Sequence, residues 1–257
     1  MVTINSKELE NIVKAVAKAV GFDTRNYLNE CNTDTRNAVP YLRGDYINTN
    51  IRDMVILQNN NLELKHFKRY SWEGSLIIDN ENKITITVSS KNTIDRIRRP
   101  KERNRPHYLQ SLCHELNSDL KPEYEQMHIE GLENTAAFSD EEYEADFETI
   151  VDMAFNAEDG YHHYVVMYEA ANFEVSSISL LLLDKELRTV SEASLMEMLK
   201  PDFGTLTAPA VPEEAKPVKK DSHSLVKVKP GIKSKISNEP EKRTEIFTKE
   251  EEAAKHA

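Results

Sequence analysis

The sequence predicts an α+β fold, antiparallel sheet packed with segregated helices, followed by a disordered C-terminal tail. Three observations carry that expectation. Helical and strand periodicities occur in separate runs rather than in strict alternation. The seven glycines, at 21, 44, 74, 131, 160, 204 and 231, are too far apart to build a glycine-rich loop. Six of the ten prolines fall between Pro201 and Pro240, which marks where folded chain gives way to tail.

Leu9, Ile12, Val13, Val16 and Val20 recur at helical spacing after Asn5 and Ser6, and Gly21 is placed to end that first helix. Residues 22–52 are polar and mixed, with Pro40 and Gly44 as breakers, and predict short helices and loops. Met54–Leu57, Leu62–Tyr70, Trp72–Asp79 and Lys83–Ser89 read as successive strands. Ile84, Ile86 and Val88 alternate with Thr85, Thr87 and Ser89, which predicts one buried and one wet face, and residues 79–82 form a hairpin loop. Leu109, Leu112, Cys113, Leu116 and Leu120 give an amphipathic helix entered at Pro106. Ser139 and Glu142 form a capping box for a helix through Tyr143, Phe147, Ile150 and Val151. Tyr161–Tyr168 and Val175–Asp184 are strands, Ile178–Leu183 being apolar enough to be covered on both faces. Ser191–Lys200 closes the domain as a short helix.

Residues 1–204 are thus one domain and 205–257 a tail, whose 11 basic and 9 acidic residues leave too little apolar surface to offset ordering. The net charge of −11 argues against a protein held on nucleic acid or anionic lipid by its overall field. Charge is nevertheless polarised. Between Pro122 and Asp184 there are 16 acidic residues and no Lys or Arg, whereas Lys91–Arg105 holds seven cations. No stretch is long and apolar enough for a signal peptide or membrane span, so a cytoplasmic protein without membrane contact is expected. Cys31 and Cys113 are too few for a disulfide framework or a zinc site, and Cys113 lies on an apolar stripe as a small buried hydrophobe.

Arg96, Arg98, Arg99, Lys101, Arg103 and Arg105 are the strongest local feature, since they precede a helix N-terminus, where free N–H groups favour an anion. His107 and Tyr108 flank that start as polar and stacking groups. These cations serve an anionic partner, or else they answer the chain's own acids within the fold or across a homodimer interface. The enzymatic alternative is a Mg²⁺-dependent nuclease: Asp53 followed by Glu63 and Lys65 has the spacing of restriction-type cores, two carboxylates for the metal and a lysine for the developing charge. Asp79 with Ser89, Ser90 and Lys91 has serine where the second carboxylate belongs. His114 and Glu115 begin a zincin signature that fails at Ser118. His162 and His163 point to opposite faces of a strand and cannot share one ion. No cofactor or metal is therefore predicted. The acidic run Glu123–Asp159 reads as the wet side of helices or as a mimic of a nucleic-acid backbone.

Thr35–Ile51, Phe67–Asp79 and His107–Leu112 resemble a family of Gram-positive bacteria and their prophages. The resemblance covers about residues 1–204. It implies a bacterial or phage setting, in which proteins of this size act as regulators, antitoxin-like partners or inhibitors, and it implies no activity. The expected function is accordingly a binding protein acting through protein–protein contact. Nuclease action and nucleic-acid binding through residues 91–105 are the alternatives.

Overall fold

The computed structural model describes residues 4–31, 34–57, 59, 61–69, 71–99, 103–122 and 138–199. The predicted tail, Lys101 and most of the acidic run before Ser139 lie outside these residues.

Helix α1, Ser6–Lys18, begins where the Asn5 side chain accepts from the Lys7 amide at 3.0 Å, and it buries Leu9, Ile12, Val13 and Val16. Gly21 does not end it. The backbone passes through a π-helical turn, Ala19–Asp23, into α2, Thr24–Glu30. Gly21 serves packing instead: a Cβ there would lie 3.3 Å from the Phe173 carbonyl oxygen. Lys18, Asp23 and Asn50 form a hydrogen-bonded knot beside that turn, tying it to α3, Val39–Ile51. Pro40 lies in the first turn of α3, where its missing N–H is harmless. Residues 54–57, expected as a strand, instead form the end and the C-cap of a second π-helical turn, Arg52–Ile56, that extends α3. Four apolar residues carry no period of their own, and the preceding helix decides their conformation.

Strands β1 (Leu62–Arg69), β2 (Trp72–Asp79), β3 (Ile84–Ser90), β4 (His162–Ala171), β5 (Glu174–Leu183) and β6 (Thr189–Ser194) form one sheet in chain order. All neighbours are antiparallel except β3 and β4, which run parallel from Ile84↔His162 to Ser90↔Tyr168. Between these two strands the chain runs through α4 (Lys91–Arg98), α5 (Tyr108–Leu116) and α6 (Asp140–Val151). A parallel neighbour demands such a crossover, because a hairpin only joins antiparallel strands. The protein is α+β, a mostly antiparallel sheet with separate helices. Two details differ from the sequence reading: the basic stretch begins as helix α4, and residues 191–194 continue β6, the closing helix shrinking to a 3₁₀ turn at Met196–Met198.

The sheet has two dry faces, not one. Ile77, Ile86, Tyr164, Val166 and Ile178 pack with Ile12, Val16, Ile47 and Ile51 of α1 and α3. The alternate residues Leu76, Ile78, Val165, Leu181 and Leu183 pack with Ile94, Leu109, Leu112, Phe147 and Ile150 of α4, α5 and α6. Thr85, Thr87 and Ser89, expected on a wet face, are buried. Their hydroxyls conceal the second apolar contact from a pattern reading, because two of them satisfy an internal histidine: Thr85 and Thr87 lie 2.9 and 3.1 Å from the two ring nitrogens of His163.

Candidate functional site

The cations nominated by sequence end up on α4 and on the chain returning to α5, over the helical face that carries α5 and α6. Arg96, Arg98 and Arg99 occupy the last turn of α4 and its C-cap, where positive charge complements the helix dipole. Arg98 is a strut: it donates to the Leu187 carbonyl and the Thr189 hydroxyl, both at 3.0 Å, fastening α4 to the turn before β6. Arg103 donates to the Arg96 carbonyl at 2.9 Å and so caps the same helix end. Arg96 and Arg99 are exposed. Among the described residues, no ion pair joins Arg96, Arg98, Arg99 or Arg103 to a carboxylate. Lys91, at the other end of α4, pairs with Glu169. Arg105 is already engaged in the fold.

The predicted anion site at the start of α5 is closed by its own residues. His107 is the N-cap, its Nδ1 accepting from the Leu109 amide, while the Gln110 side chain accepts from the His107 amide at 2.9 Å. Burial, followed by the charges of Arg69, Arg103 and Arg96, pushes the His107 pKa down to about 3, so the ring is neutral at physiological pH. The charges of three guanidiniums therefore act on one uncharged imidazole. Burial and the neighbouring Arg96 lower the pKa of Arg103 in turn. Only Arg69 among the three has a carboxylate: it bonds Asp146 at 2.6 Å and the Pro106 carbonyl at 2.7 Å, with Ser111 donating to the other Asp146 oxygen.

Tyr108 is buried and stacks on Trp72, 5.1 Å between ring centroids at 16°. Phe67 packs edge-on against Trp72. Gly74 makes the stack possible, since a Cβ there would come within 2.6 Å of both Phe67 and Trp72. Trp72, the chain's one tryptophan, keeps 40% of its surface exposed, and it pairs across the hairpin with Arg69. Sequence reasoning missed both residues as members of this cluster. Their signal was a lone tryptophan three residues from an arginine at a hairpin tip. Beside them opens a shallow cleft of about 450 Å³ whose walls mix Lys68, Arg69 and Arg105 with Glu142 and Asp146. Of these charges, Arg69 and Asp146 answer each other at 2.6 Å.

The nuclease residues are not assembled. The segment bearing Asp53 packs through Val55 on the face covered by α1 and α3, and Asp53 itself bonds Arg52 at 2.8 Å. Lys65 lies on the other face of β1, where it pairs with Asp152 of α6's C-cap at 2.6 Å, and Glu63, two residues before it, shares that side. The expected strand 54–57 would have been needed to bring the three together. Among the described residues, no group of three His, Cys, Asp or Glu side chains is placed to hold a metal ion. His163 is buried and His162 faces Asp119 at 3.3 Å, on opposite sides of β4 as predicted. His114 stacks on Tyr143 and bonds Glu115, which makes it a helix-packing residue. Burial raises the Cys113 thiol far above its ordinary pKa, so it is an inert core residue. Among the described residues no helix is long and apolar enough to cross a membrane.

No curated protein and no solved structure matches this chain. A family model matches residues 2–249, and the chain belongs to that family, the Family of unknown function (DUF5986).

Proposed function

We propose that this protein is a non-enzymatic, cytoplasmic binding protein of Gram-positive bacterial or prophage origin, which regulates or inhibits by docking its cationic surface on an acidic face of a protein partner. One observation supports it above the others: the guanidiniums of Arg96, Arg99 and Arg103 have no carboxylate among the described residues of a chain with net charge −11. Internal neutralisation is the competing account of these arginines. Electrostatic surfaces of this kind steer association and set specificity.

Arg98 and Arg103 hold α4 in place, so the informative change is at Arg96 and Arg99, both exposed. Proteins retained by the immobilised full chain are compared with those retained by Arg96→Glu/Arg99→Glu and by the control Lys14→Glu on α1. An acidic partner bound by the wild type and the control, released by salt and lost by at least about tenfold in the double variant, supports the reading. Equal retention by all three overturns it.

Nucleic acid is the second reading, favoured by the partly exposed Trp72, paired across its hairpin with Arg69 and stacked on Tyr108. It expects a single-stranded oligonucleotide to quench the tryptophan emission, with affinity falling steeply with salt.

A further inference from the structure

Two further arginines, Arg25 and Arg43, lie on other elements, each beside the turn joining β4 and β5. Asn172 and Phe173 both have positive φ, 50° and 62°, a conformation that a bulky aromatic residue rarely adopts and that costs on the order of 1 kcal/mol or more. The turn sets the Phe173 ring between two helices. The Arg25 guanidinium of α2 lies 5.9 Å from the ring centroid and that of Arg43 of α3 lies 6.0 Å from it. Gly21 permits the approach by leaving room at the Phe173 carbonyl.

Neither cation is well answered. Arg25 reaches Glu174 only at 3.7 Å, with both side chains largely exposed, which makes a weak pair. Arg43 has no acidic partner among the described residues, and its Nε–H is shielded from water without an acceptor. A guanidinium without a carboxylate leaves its charge uncompensated, and a bound oxyanion would compensate it through the outer N–H groups. Cation–π contact offsets part of that cost, but an aromatic face cannot replace the two lone-pair acceptors that a guanidinium fork fits. Phe22, 53% exposed, stands three residues before Arg25 on the same helical stretch and gives the site an apolar border.

We propose that Arg25 and Arg43, positioned by Phe173, form a binding site for a phosphate-type oxyanion, free or carried as a monoester. The site is separate from the α4 surface and does not depend on how that surface functions.

The Arg43 Nε–H, shielded from exchange, is the reporter. Two-dimensional ¹H–¹⁵N spectra of the full chain are recorded during titration with inorganic phosphate, with chloride at matched ionic strength, and in a separate arm with adenosine monophosphate. Saturable movement of the Arg43 signal by phosphate and not by chloride is expected. Arg25→Gln should weaken that response about tenfold or more, the loss of a charge-assisted contact, whereas Arg96→Gln should leave it unchanged. Tighter response to the nucleotide would identify the monoester as ligand, and equal response the free anion. No saturable movement in the wild type, or an unchanged response in both Arg25→Gln and the more conservative Arg25→Lys, would overturn the site.

Discussion

His163 lies in the middle of the sheet with a threonine hydroxyl on each ring nitrogen, and burial alone pushes its pKa down to about 3. His107, desolvated and under the charges of Arg69, Arg103 and Arg96, is also displaced to about 3. In the unfolded chain both imidazoles regain the ordinary value near 6.5 and take up protons that the folded chain refuses. Stability contributed by the neutral rings is therefore complete above about pH 6.5 and is lost as pH falls from there toward 3. Each histidine steepens the loss by up to about 1.4 kcal/mol per pH unit. Denaturant midpoints measured between pH 7.5 and 4 should show this fall. His163→Gln, which keeps a donor and an acceptor near the two hydroxyls, should flatten part of the slope while lowering stability at pH 7.5. An unchanged slope would mean that the ring is already protonated in the fold.

Asn117, at the C-cap of α5, joins elements rather than residues. Its side-chain amide donates to the carbonyls of His163 and Leu183, at 2.9 and 2.6 Å, while its oxygen accepts from the His163 amide at 2.8 Å. One fully buried side chain thus fastens a helix end to the start of β4 and the end of β5. Asn117→Ala would strand three buried backbone groups and should cost about 2 to 4 kcal/mol, read as a lowered denaturant midpoint at unchanged slope. None of this was visible in the chain, where Asn117 is one polar residue after an amphipathic run. What was visible depended on period and on local caps. Asn5 and the Ser139–Glu142 box start helices as read, and the alternation of β3 and the apolar run of β5 are strands as read. Gly21 and Met54–Leu57 were misread because glycine near a helix end and a short apolar run each have two meanings, and only tertiary neighbours choose between them. The candidate site was half legible. The arginines of 96–103 announce themselves by number, whereas Arg69, which acts with them on His107, and Trp72, its cross-strand partner, come from the β1–β2 hairpin.

Over the described residues the fold is a sheet with helices on both sides, and its one parallel pair among them decides this arrangement. The crossover from β3 to β4 places α4, α5 and α6 over Thr85, Thr87 and Ser89, the row that a two-layer reading leaves in water. Covering that row required polar groups with internal partners, and His163 provides them. The same crossover presents the arginines of α4 outward while the apolar side of that helix, Ile94 and Ile97, faces inward. A charge placed on the buried row tests the arrangement as a whole. Thr87→Lys would put an ammonium beneath helices where, among the described residues, no carboxylate bonds Thr87, and would remove the partner of His163 Nε2, at a cost of more than about 3 kcal/mol. Ala193→Lys, on the exposed edge strand β6, should change stability by less than about 0.5 kcal/mol. Chemical denaturation of the two variants beside the wild type separates the cases: comparable small effects would mean that the Thr85–Ser89 row faces solvent and that the sheet has only one covered side.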